Sequence, residues 1–131
     1  HVIERSDMRQ TLSLLKSGGS LWYAPDQDYG RKHSVFAPFF NLQAATISAT
    51  SRLAKATGAK VLMLSVFRDP DRAHWTLTFD PVLENFPSGD HVADACRINQ
   101  ILEAHIRVHP AQYLWVHRRF KTRPDGEPSV Y

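Results

Sequence analysis

Hydrophobic and polar positions run along this chain in two rhythms, one near 3.6 residues and one near two, and the switches between them outline the elements. Met8, Leu12 and Leu15 recur at helical spacing behind Ser6 and Asp7, which suit the start of a helix; Gly18 and Gly19 end it. Residues 20–24 are short, bulky and apolar, and predict a buried strand closed by Pro25. Residues 26–32 are polar and predict a loop at its end. Val35 to Phe40 is apolar but broken by Pro38, as in an edge strand or extended segment. Small side chains over residues 44–57 predict a helix that approaches a sheet closely, with Gly58 at its C-terminal cap. Residues 60–67 are almost continuously apolar, the pattern of a strand covered on both faces. After a turn at residues 68–72, Trp75, Leu77 and Phe79 alternate with His74, Thr76 and Thr78, so a strand with one wet face is expected, paired in a hairpin. Asp90 caps a helix over residues 91–108. Arg97, Gln100, Glu103 and Arg107 form its one polar stripe, and Pro110 stops it.

Alternating helix and strand predict an α/β sandwich that supplies part of a mixed sheet flanked by helices. With 131 residues the chain suits a single domain, residues 1–131. Its composition, 43% hydrophobic and 22% charged, argues against disorder. Cys96 is the only cysteine, so an internal disulfide is excluded. No stretch approaches the roughly 18 apolar residues that a membrane-crossing helix needs.

The net charge is +3, and Arg107, Arg118, Arg119, Lys121 and Arg123 crowd the last quarter. Such a cluster favours an anionic partner such as a phosphate, nucleic acid or acidic membrane face; a solvated tail is the plain alternative. Asp26 and Asp28 lie two apart at a strand end, where α/β proteins commonly place functional groups. A turn in which the aspartates bond their own backbone accounts for them equally well. His105 and His109 stand at metal-ligand spacing, but no third ligand is evident and a structural role is expected. No nucleophile elbow, phosphate-binding glycine loop or zinc spacing occurs.

Trp22-Tyr23-Ala24-Pro25-Asp26-Gln27-Asp28-Tyr29-Gly30 resembles the Trp-Tyr-Ala-Pro-Asp-x-Asp-Tyr-Gly signature of the lipid A biosynthesis (lauroyl/myristoyl) acyltransferases. The run from Ala111 to Pro124, with Gln112-Tyr113, Trp115 and His117-Arg118-Arg119-Phe120-Lys121-Thr122-Arg123, resembles that family's C-terminal block. The resemblance implies a glycerolipid-acyltransferase-like fold at the cytoplasmic side of the inner membrane. It also implies transfer of a fatty acyl chain from acyl carrier protein to a hydroxyl of a lipid A precursor, without a cofactor or metal.

Catalysis in such enzymes uses a histidine followed five positions later by Asp or Glu, because an attacking hydroxyl needs a paired imidazole to take its proton. Five positions after the seven histidines stand Ser6, Pro38, Phe79, Cys96, Pro110, Leu114 and Thr122. The expectation is therefore a C-terminal portion lacking both the N-terminal membrane anchor and the catalytic box, soluble and inactive by itself. Asp26 matches the supporting acidic residue of the family pattern. Asp28, Arg118, Arg119, Lys121 and Arg123 are the expected substrate contacts, since guanidinium forks suit lipid phosphates; the basic residues alternatively pin the C-terminus to the sheet. A non-catalytic module binding anionic lipid is the second reading. Nucleic acid is not an expected partner, as no recognition signature for it is present.

Overall fold

The structure, a computed structural model, describes residues 2–4 and 6–131; His1, one of the histidines weighed above, lies outside them. Helix α1 covers Met8–Lys16. The hairpin of β1 (Ser34–Phe39) and β2 (Leu42–Ile47) leads into α2 (Ala49–Thr57). A second hairpin, β3 (Leu64–Arg68) and β4 (Trp75–Phe79), precedes the long helix α3 (His91–Val108). Short 3-10 turns at Arg31–His33, Pro110–Gln112 and Trp115–His117 shape the connections. The chain is α/β, as its rhythms predict. In place of one mixed sheet it has two separate antiparallel pairs, β1–β2 and β3–β4.

Local chemistry explains the boundaries. Asp7, not Ser6, caps α1: its carboxylate accepts from Gln10 N–H at 2.8 Å, which also places negative charge at the helix's positive end. Asp90 caps α3 through the N–H groups of Val92 (2.8 Å) and Ala93 (3.2 Å). Gly58 closes α2 with φ 71°, a conformation costly for any side chain.

The predicted helix over residues 44–57 is half strand. Phe40 and Asn41 both have positive φ (47° and 66°), and Phe39 pairs with Leu42, so a two-residue turn folds the chain back there. Residues 42–47 then pair with β1, and the helix begins only at Ala49. The expected buried strand over residues 20–24 is absent among the described residues: the segment has no regular structure, and Trp22 is 72% exposed. Strand β3 begins at Leu64, later than its apolar run suggests, and Val66 is exposed. The expected one-sided burial of β4 is absent: Trp75, Leu77 and Phe79 are all more than half exposed, because no element among the described residues covers either face of that strand.

The core lies along α3, which packs on β1. One cluster joins Phe39, Ala44, Ile106 and Phe120; the other joins Met63, Leu83 and Ile98; Leu102 touches both. Burying a side chain such as Phe39 contributes about 2–3 kcal/mol by transfer alone. Asn99, fully buried on the same helix, donates to the carbonyl of Pro38 (2.9 Å) and to Thr46 Oγ1 (3.0 Å), so its amide costs little to bury. Among the described residues no helix is long and apolar enough to cross a membrane.

Candidate functional site

The acidic loop and the basic tail, some 90 positions apart in sequence, meet in space. Asp28 is the link. Its Oδ1 accepts from Gly30 N–H at 2.9 Å and its Oδ2 from Thr122 N–H at 2.9 Å. Its own N–H donates to His117 Nε2 at 3.0 Å, which puts the ring proton of His117 on Nδ1. Gly30 sits at φ 78°, so glycine is what lets the chain turn back onto the carboxylate. Asp28 is 2% exposed, and each of its oxygens already faces a protein N–H. Arg31 extends the join by bonding the carbonyl of Arg123 and pairing with Asp125 at 2.8 Å.

The four tail cations divide into two kinds. Arg119 is 2% exposed and aims at the sheet: it donates to the carbonyl of Ala45 (2.7 Å), Thr46 Oγ1 (2.8 Å) and Asn99 Oδ1 (3.5 Å), and lies over the Phe39 ring at 5.2 Å. Its Nε is buried without a partner among the described residues. Burial pulls its pKa down, while Tyr113, Asp26, Asp28 and Tyr131 oppose that shift. Arg123 is mostly buried, donating to the carbonyl of Gln43 and pairing with Glu127. Arg118 and Lys121 remain exposed, with Arg118 over the ring of Tyr131 at 5.9 Å. Arg119 and Arg123 therefore pin the tail to the β1–β2 hairpin, and Arg118 and Lys121 keep their charge toward solvent.

Asp26 stands apart from this knot and lines an open groove of about 900 Å³. Leu21, Tyr23, Leu62, Leu64, Val66, Leu102 and Tyr113 line the groove. The buried Tyr113 hydroxyl lies close enough to Asp26 to feel its charge but outside hydrogen-bond geometry. Burial first, then the Asp26 carboxylate, raise the Tyr113 pKa well above the ordinary range. Tyr23, bonded to Thr50 Oγ1, is likewise pushed up to about 12, chiefly by burial, with the Thr50 bond acting the other way. Both phenols stay protonated at neutral pH. The site thus presents one carboxylate in a largely apolar groove, close to a neutral hydroxyl and a buried guanidinium group.

Sequence spacing does not reveal two further pairs. His105, which lines the groove, meets Asp80 at 2.9 Å and ties the end of β4 to α3. His91 Nδ1 meets Ser51 Oγ at 2.8 Å; Ser51 also donates to the Ser48 carbonyl and is 2% exposed, so it is a buried brace and not a nucleophile. His109 lies against the Phe67 ring (centroids 4.4 Å), and no cluster of three potential metal ligands occurs among the described residues.

Fold and site define a class: an α/β protein in which an acidic turn and a basic tail build one polar centre beside an apolar groove. Within that class the family is specific. The pattern of the bacterial lipid A biosynthesis acyltransferases matches residues 1–122, and the chain belongs to that family. It is 44% identical to the lipid A biosynthesis palmitoleoyltransferase of Escherichia coli K12 over 131 residues, covering 99% of this chain and 42% of that protein. It is 41% identical to the lauroyltransferase of the same organism, covering 99% of this chain and 43% of that protein. The myristoyltransferase is 34% identical over 110 residues, covering 84% of this chain and 34% of that protein. The chain thus spans less than half the length of these relatives.

Proposed function

We propose that these 131 residues form part of an enzyme that transfers a fatty acyl chain from acyl carrier protein to a hydroxyl of a lipid A precursor, at the cytoplasmic face of the inner membrane. The observation that carries this reading is the meeting of the two family motifs, Asp26 and Tyr113 lining one largely apolar groove and Asp28 bonding the tail at Thr122 and His117. An amphiphilic substrate asks for that pairing of a channel for hydrocarbon and charged groups. Asp26 is the supporting acid: it organises donors and positive charge around the reacting centre. Proton removal falls to a histidine–carboxylate box ahead of His1. Arg118 and Lys121 are the cations best exposed to meet lipid phosphate, with Asp28, Arg119 and Arg123 holding the loop and tail on which they sit.

The test compares this chain with the longer parent polypeptide in an assay of acyl transfer from acyl carrier protein. Turnover is expected only from the longer protein, and activity of the 131 residues alone would overturn the division of labour. In the longer protein Asp26→Asn should lower turnover at least about 100-fold, the scale of losing a positioned electrostatic group, with little change in the unfolding midpoint. An unchanged rate would reduce Asp26 to turn chemistry. The exposed Arg118 and Lys121 also suit a second reading, a non-catalytic module that grips anionic lipid. It predicts binding to phosphatidylglycerol vesicles by the short chain and no turnover by either.

A further inference from the structure

The groove is bordered by the open edge of strand β3. In an antiparallel pair, alternate residues send both N–H and C=O to the partner strand, and the others send theirs outward. Asp69 N–H donates to the His74 carbonyl and Asp80 N–H to the Met63 carbonyl, both at 2.9 Å. Residues 63, 65, 67 and 69 therefore face β4, and Leu62, Leu64, Val66 and Arg68 turn their backbone groups away from it. Arg68 verifies the phase: its N–H and C=O are met from the outer side by the carboxamide of Gln112, at 2.8 and 2.9 Å. Leu62, Leu64 and Val66 also line the groove. Residues 20–24 line the same groove and are largely apolar, and among the described residues their backbone makes no hydrogen bond. Two apolar backbones with unmet donors and acceptors thus border one channel. Unmet backbone groups cost about 1–3 kcal/mol each once water is excluded, so the channel favours an occupant that brings a backbone of its own.

We propose that a β-strand of the same polypeptide fills this groove, supplied by the length that the relatives have beyond the matched region, and that it pairs with residues 20–24 on one side and with β3 on the other. The inference rests on the reading that the 131 residues belong to a longer enzyme, whose relatives are more than twice as long as this chain. Insertion joins the two segments into one continuous sheet and covers the groove-facing side chains of Leu62, Leu64 and Val66. It also brings the incoming strand into the groove that Asp26 lines.

Amide hydrogen exchange on the longer protein and on the 131-residue chain tests this. In the short chain, the alternate amides of residues 20–24 that an incoming strand would meet, and those of Leu62, Leu64 and Val66, should exchange fast. In the longer protein both sets should slow by at least about 100-fold together, as amides in a stable sheet do. Continued fast exchange of either set in the longer protein overturns the proposal. So does protection that requires added lipid, or that appears in the short chain as its concentration rises, which would make a lipid or a second copy the occupant. Val66→Pro adds an independent readout, because it removes an outward N–H and leaves the β3–β4 ladder intact. It should lower the melting temperature of the longer protein by several degrees more than that of the short chain, and an equal shift in both overturns the proposal. Protection without acyl transfer would support the strand while refuting the enzyme reading; acyl transfer without protection would do the reverse.

Discussion

Asp26 and Asp28 are two positions apart and equally plausible as functional groups in the sequence, yet their surroundings separate them. Asp28 holds two backbone N–H groups that have no other acceptor, so Asp28→Ala should destabilise the fold by about 3 kcal/mol, the cost of two stranded donors near a charged acceptor. Urea unfolding measures this, and a loss under about 1 kcal/mol would show that water replaces the carboxylate. Asp26 has no such duty and borders the groove, which is why its substitution is expected to touch turnover instead. Neither outcome is written in the local sequence, since both aspartates sit in the same polar turn. Tyr23 offers a test by pH. Its pKa is raised from 10.0 to about 12, so the folded state keeps a proton that the unfolded chain releases. That contribution is complete below pH 10 and disappears as pH rises through 12. Tyr23→Phe should flatten part of the alkaline loss in a series of denaturation midpoints, and an unchanged slope would refute the assignment.

At the scale of elements, α3 was readable end to end, because its cap, its periodicity and Pro110 all agree. The stretch over residues 44–57 was not, because a run of small residues fits a helix or a tightly covered strand equally well. What decides is the turn at Phe40 and Asn41, where Asn41 is the only visible hint of left-handed backbone. The faces of β4 depart from its alternation for another reason: alternation records what a strand is built to cover, whereas burial records what lies on it here. The end of α2 gives a cleaner test. Gly58→Ala forces a methyl into left-handed backbone and should cost about 1 kcal/mol, read from the thermal midpoint. Open space around the position leaves the backbone as the sole cause.

Across the whole molecule, the two motif blocks were legible as family signatures, and their contact was not. Links such as Asp28 to Thr122 join residues 94 positions apart, and no local period encodes them. Arg119 is the clearest case: counted in sequence as one of four tail cations, it is the side chain that fastens the tail beneath the first hairpin. A lysine there has no fork to reach Ala45, Thr46 and Asn99 together, so Arg119→Lys should cost about 3 kcal/mol by urea titration, the scale of a broken buried charge site. A loss comparable with that of the exposed Arg118→Lys would contradict the pinning role.

Gln112 has a protective consequence. By meeting both backbone groups of Arg68 with one side-chain amide, it stoppers the end of a bare, apolar sheet margin. Chain-to-chain stacking of the kind that grows fibrils needs a long uninterrupted margin. Here only three outward-facing positions precede the stopper, so the open margin is too short to template runaway self-assembly.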